Sequence, residues 1–207
     1  MHQVFFVRIK LGKSRLNSFT LVELLVVMAI IGILVAITLA AASGVMAAAA
    51  RSRSHGEIQA MSAALESYKS DNGAYPQSFS TTLVTNSATS PYNSSSVDGS
   101  SSTYITTSQT LYQALSGQTN FLDPPVSGVK TYMSFKVSQV GNASAPAGSA
   151  GTASSYIQDP WSYSYGYNTG STTNAPYNGS GFFDLWSTAG LLAPAATNSA
   201  AWIANWQ

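Results

Sequence analysis

The sequence predicts an α+β protein: one long N-terminal helix, membrane-spanning in its first half, with a small antiparallel β-sheet packed on its second half. Three observations predict it. An uninterrupted apolar run extends from Phe19 to Ala50, an amphipathic stretch follows it directly, and period-two segments between Ser-, Thr-, Asn- and Gly-rich loops occupy the remainder. The expected organisation is a basic leader over 1–18, an apolar half-helix over 19–50, an amphipathic half-helix over 51–76 and an exported globular domain over 77–207.

Composition agrees with that division. The chain has 207 residues, and its charged fraction of 8% is about a third of that in ordinary soluble domains. With no cysteine, a disulfide framework and thiolate metal sites are excluded. Charge is segregated: Arg8, Lys10, Lys13 and Arg15 precede the apolar run without an acid among them, and five Lys/Arg then face all eight Asp/Glu. No basic patch remains for neutralising phosphates, so nucleic-acid binding is not expected.

Leu24 to Ala42 is uncharged and mostly aliphatic, and a helix of roughly 20 such residues crosses the hydrocarbon of a bilayer. The remaining chain is too polar to wrap this segment as a buried core helix. A cleaved secretory signal is the nearest competitor, with Ala47-Ala48-Ala49 as small residues, but the apolar run exceeds the usual 7–15 residues of such a signal. The basic leader holds the N-terminus in the cytoplasm and places everything after the span on the far side. Arg51 and Arg53 oppose that orientation weakly.

The junction reads Lys13-Ser14-Arg15-Leu16-Asn17-Ser18 followed by Phe19-Thr20-Leu21-Val22-Glu23-Leu24-Leu25. It resembles the processing site of type IV pilins and of type II secretion pseudopilins. The resemblance implies cleavage by a prepilin peptidase between Ser18 and Phe19, methylation of the new Phe19 amine, and Glu23 as the fifth residue of the mature chain. Ser18 stands where that family usually has Gly. Independently, a carboxylate in hydrocarbon costs a few kcal/mol and requires a positive partner. The α-ammonium of Phe19, on the same chain or a neighbour, would supply one, and pairing across subunits would fix their axial register.

Beyond Ala50, Ile58, Met61, Leu65 and Tyr68 recur at helical spacing, with Arg53, Glu57, Glu66 and Lys69 expected off that stripe. Asn72-Gly73 and Pro76 end the helix. Residues 78–110 and 141–155 read as surface loops. Three strands are expected: Val129–Val137, with Val129, Met133, Phe135 and Val137 on one face; the alternating Trp161, Tyr163, Tyr165 and Tyr167; and Phe182–Ser187. One sheet face should meet the helix and the other solvent or a neighbour. The tyrosine ladder reads as cross-strand packing in preference to a carbohydrate platform.

The helix end Glu66–Pro76, Asp159-Pro160-Trp161, Phe183–Ser187 and the terminal Trp202–Trp206 are similar to the major pseudopilin of type II secretion. In that family the loop after the last of these strands holds calcium. Here the loop after Ser187 reads Thr188–Pro194 and no acid follows Asp184. Calcium needs six to eight oxygens, usually with carboxylates, so no metal or other cofactor is expected, and Leu191 and Leu192 are expected to pack in its place.

His2 and His55 are the only histidines, no glycine-rich phosphate loop follows a strand, and Asp98, Asp123, Asp159 and Asp184 each adjoin Gly, Pro or an aromatic, as turn and strand-end residues do. No enzymatic activity is expected. The resemblance implies a structural pseudopilin, single-pass in the inner membrane with a periplasmic C-terminal domain. It would form a homo-oligomeric filament with minor pseudopilins, driven by an assembly ATPase and platform proteins. A subunit of an adhesive or DNA-uptake pilus is the neighbouring alternative, and a monomeric membrane-anchored binding module the alternative of another class.

Overall fold

A computed structural model describes residues 19–77, 99–100, 102–146, 148, 154–169, 177–192 and 199–206. The chain divides into two compact units, Met1–Val45 and Met46–Gln207. Its elements are α1 (Leu21–Asn72), α2 (Ser102–Ser116), β1 (Val140–Gly141), β2 (Tyr156–Ile157), β3 (Gly166–Asn168), β4 (Asp184–Ser187) and β5 (Ile203–Ala204). This is the α+β, pilin-like arrangement that the sequence predicts.

Helix α1 begins two residues after the expected Phe19 and ends one after Asp71. Its end follows from local chemistry. Gly73 takes φ +77° and its N–H donates to Lys69 O at 2.8 Å, a left-handed turn that a side chain would strain. In the first unit the apolar side chains are exposed: Leu24, Ile30, Leu34 and Ile37 are each more than half accessible. The helix is long and apolar enough to cross a membrane.

In the second unit Ile58, Met61 and Leu65 are buried, and they join Leu111, Tyr112, Leu115, Tyr165, Tyr167 and Leu185 in one core. Glu57 departs from its expected place. It lies on the buried face, 9% exposed, beside the fully buried Ser54. A spacing of three to four residues puts Ser54, Glu57 or Ile58, Met61 and Leu65 on one side of a helix, so the stripe continues through polar residues.

Helix α2 occupies part of the expected loop 78–110, and residues 78–98 lie outside the described residues. Its inward face is Tyr104, Thr107, Ser108, Leu111, Tyr112 and Leu115, all buried. Hydroxyls substitute for aliphatic groups there because each has a partner: Thr107 Oγ1 donates to Tyr104 O at 3.0 Å, and Ser108 Oγ donates to Ile157 O at 2.7 Å while accepting Ile157 N–H at 3.0 Å. Helix α2 thereby packs on β2 and β3.

Two small antiparallel sheets form, β1-β2 and β3-β4-β5, joined in sequence by a bridge between Gln158 and Ser164. The expected strand over 129–137 is not one. Tyr132 and Met133 both donate their N–H to Leu115 O, at 2.8 and 3.0 Å, and Thr131 Oγ1 donates to Ser116 O at 2.8 Å. The segment thus satisfies the C-terminal carbonyls of α2 instead of a neighbouring strand. Met133 and Phe135 pack on the core, whereas Val129 and Val137 are 48% and 64% exposed.

The aromatic ladder forms a strand only at β3. Tyr165 and Tyr167 are fully buried and pack in the core with α1, as packing residues and not an open platform. β4 is buried on both faces, so the face expected toward solvent or a neighbour is covered by the chain itself. Phe183 and Leu185 point into the core shared with α1. Trp186 points the other way, donating Nε1–H to Tyr104 OH at 2.9 Å and stacking on Trp202 with centroids 5.8 Å apart. Gly166 lies opposite: a Cβ there would come within 2.2 Å of the Trp186 ring.

Asp159 ties the turn before β3 to the end of β4. Its Oδ1 accepts the N–H groups of Trp161 and Tyr163 at 3.0 and 2.9 Å, and its Oδ2 accepts the Ser187 hydroxyl. Burial, opposed by these hydrogen bonds, raises its pKa above the ordinary 3.8. A folded pKa above the unfolded one means that the native state binds the proton more tightly. This contribution to stability is complete below about pH 4 and is lost as pH rises through the folded value. Asp159→Ala is expected to destabilise the chain by about 1–3 kcal/mol, because two part-buried N–H groups lose their acceptor. Asp159→Asn keeps that acceptor and should flatten the pH dependence; thermal melts in detergent between pH 3 and 8 check both.

Candidate functional site

The N-terminal end of α1 is built by Thr20 and Glu23. Thr20 caps the helix: its Oγ1 accepts Glu23 N–H at 3.2 Å, and its carbonyl accepts Leu24 N–H at 3.3 Å. Glu23 answers, its Oε2 accepting both Thr20 N–H and Thr20 Oγ1–H at 2.9 Å. This reciprocal arrangement is a capping box. Sequence reasoning passed over Thr20, although its T-x-x-E signal is plain at positions 20–23.

The box gives Glu23 a definite place. The partial positive charge of the helix N-terminus favours a carboxylate there. Oε2 takes both Thr20 donors, while Oε1 has no partner among the described residues. Phe19, one residue before the cap, is 79% exposed. Of the residues that the sequence singles out, Phe19 and Glu23 therefore meet at one helix end, and Ser18 lies outside the described residues. Around them Leu21, Val22, Leu24 and Leu25 are all exposed.

The second unit holds its acids differently. Glu57 Oε1 accepts Arg53 Nε–H at 2.7 Å and Gln139 Nε2–H at 3.1 Å, and its Oε2 accepts the Tyr165 hydroxyl at 2.7 Å. Ser54 Oγ lies 3.2 Å from the same hydroxyl. Burial, followed by the Glu57 charge, pushes the Tyr165 pKa far up, so this phenol stays a donor. Burial and Glu66 push Tyr75 up to about 12. The groups are saturated with internal partners, as befits packing.

Ser187 is fully buried; its hydroxyl donates to Asp159 and accepts Ala189 N–H at 2.9 Å. The loop that follows turns through Ala189 and Gly190, at φ +55° and +80°. Leu191 is half-buried and Leu192 is 43% exposed, so of the expected apolar pair only Leu191 is partly covered. Ala189 and Trp161 pack against the core instead. The nearest carboxylates are engaged, Asp159 as above and Asp184 by Tyr177 N–H, Asn178 N–H and Asn178 Nδ2–H at 2.6, 3.1 and 3.0 Å. Among the described residues no group of three His, Cys, Asp or Glu is placed to hold a metal ion.

Residues 14–39 match the prokaryotic N-terminal methylation motif. The match covers Arg15, the last cation before the junction, the junction itself, the capping box and most of the apolar run. It marks a type IV pilin-like prepilin signal and indicates a substrate of a prepilin peptidase. Neither the comparison with curated proteins nor that with solved structures gave a match.

Thr20→Ala is expected to loosen the first turn of α1 by about 1 kcal/mol, whereas Thr20→Ser keeps the box. Amide exchange of residues 21–24 in detergent micelles should rise roughly fivefold for the first variant and stay unchanged for the second.

Proposed function

We propose that this chain is a structural pseudopilin of a type II secretion system, cut between Ser18 and Phe19, methylated on the Phe19 amine and assembled into a periplasmic filament. Before assembly it spans the inner membrane once, N-terminus inside. A prepilin peptidase, an assembly ATPase with its platform and minor pseudopilins are its partners, and its role is mechanical and not enzymatic.

The observation that carries this reading is the placement of Glu23. An acid at the head of an apolar helix is strongly disfavoured in a filament core unless a cation meets it. The capping box aims the carboxylate at the helix end while leaving Oε1 open. Cleavage before Phe19 creates an ammonium one residue from the cap. The helix dipole that favours Glu23 disfavours that ammonium, so the two charges are better paired than apart. A neighbour's ammonium satisfies Oε1 only at one axial offset, and a sliding subunit stops there. The exposed apolar side chains of residues 19–39 supply the contact area that packs subunits together.

Intact mass and N-terminal sequencing of the membrane form are expected to show a chain beginning at N-methylated Phe19. A chain beginning at Met1, or near Ala50, contradicts the reading. Glu23→Ala should insert normally yet enter filaments at least tenfold less, a loss of about 1.4 kcal/mol or more; an unchanged filament yield defeats the register role. The reading includes no calcium ion, so 1 mM calcium or a chelator should leave the melting midpoint of the full chain unchanged. A rise of several degrees with calcium would contradict it.

A further inference from the structure

Arg51 and Arg53 are left unexplained by the pilin-like reading, because cations trailing a span oppose the orientation that the leader sets. The structure shows where they lie. A surface cleft of about 430 Å³ is lined by Arg53, Gly56, Glu57, Ala60, Met133, Lys136, Ser138 and Gln139. Its only acid, Glu57, is turned inward and consumed by Arg53, Gln139 and Tyr165. The Arg53 guanidinium is held by Nε on Glu57 and by Nη2 on Ser138 O at 3.3 Å. Its Nη1, and the ammonium of Lys136, have no partner among the described residues. One anchored cation, Arg53, and one exposed cation, Lys136, thus share a cleft with a small apolar floor.

Arg51, two residues earlier on α1, points to the other side of the helix, where its Nη1 donates to Ala201 O at 3.4 Å. Cations therefore flank the helix as it leaves its apolar run. Their height follows from the membrane-spanning reading: Arg51 is the first residue after the apolar run Phe19–Ala50, so Arg51 and Arg53 stand where the chain leaves hydrocarbon for the outer headgroups.

We propose that Arg51, Arg53 and Lys136 form a cationic collar that binds the phosphate of anionic phospholipids in the outer leaflet, with the Arg53–Lys136 cleft as its headgroup site. The inference rests on the membrane-anchored reading above. Charge complementarity selects the occupant: a headgroup phosphate accepts from Nη1 of Arg53 and from Lys136 together, while its glycerol meets Gly56, Ala60 and Met133. The collar holds the unassembled subunit at a fixed depth and releases it when the helix is drawn out.

The chain has no cysteine, so Ser134→Cys, at an exposed position beside the cleft, accepts a single fluorescent label. The full chain is placed in nanodiscs of phosphatidylcholine, alone or with one third phosphatidylglycerol, each doped with headgroup-nitroxide lipid. Quenching is expected to be at least twofold stronger in the anionic discs and to fall to the neutral level in the Arg51→Gln, Lys136→Gln double variant. Arg53 is left intact because Glu57 depends on it, and circular dichroism checks that the variant is folded. Equal quenching in both lipids, or a double variant that behaves as the parent, overturns the proposal. Abolition of the lipid effect by 5 mM inorganic phosphate assigns the cleft to free phosphate and overturns the lipid assignment. A double variant that keeps the lipid effect but fails to enter filaments shows that the cleft meets a neighbouring subunit, and also overturns it. Failure of the parent chain to co-elute with discs refutes the membrane-anchored reading itself, a separate result.

Discussion

Helix α1 carries two incompatible surfaces on one backbone, and that constraint governs the molecule. Its first half exposes more than a dozen Leu, Ile, Val and Met side chains. At about 1.5–3 kcal/mol for each large apolar side chain left in water, their exposure would outweigh the 5–15 kcal/mol net stability of a typical domain. An apolar medium must cover them, either lipid or the same surface of other copies. The second half instead buries Ile58, Met61 and Leu65 against the chain's own tyrosines and leucines.

Where the helix changes medium, its chemistry changes with it. Glu23 stands at the apolar end, tied to Thr20 with one oxygen uncommitted. Glu57 stands in the covered half with both oxygens taken. A saturated carboxylate holds a domain together, because removing its counter-ion Arg53 would strand a largely buried charge. An unsaturated one at the head of an apolar helix is, in the proposed filament, met by the cation of another subunit. The two acids look alike in sequence and differ in how their oxygens are occupied.

The features legible in the sequence are those fixed by local rules. The apolar run, the Ile58–Leu65 stripe, the Asn72-Gly73 stop and the inward tyrosines follow from spacing and from glycine's tolerance of positive φ. Helix α2 was hidden because Thr107 and Ser108 occupy its buried face, where only the distant Ile157 backbone makes a serine acceptable. Residues 129–137 carry a strand's alternation but bond to Leu115 and Ser116 at the end of α2, a tertiary partner that periodicity does not reveal. Glu57 reads as a solvated charge until Tyr165 and Gln139 are brought to it. At the candidate site, Phe19 and Glu23 were legible from the junction, and Thr20 was available through its capping spacing.

In the proposed filament Glu23 of one subunit pairs with the Phe19 ammonium of another. Solid-state NMR on filaments grown from a mixture of two pools tests it directly, one pool carrying ¹³C at the Glu23 carboxyl and the other ¹⁵N at the Phe19 amine. A dipolar coupling corresponding to about 4 Å, the separation of an ion pair, is expected between the pools. No intermolecular coupling within about 6 Å, the reach over which opposite charges favour each other, would contradict it.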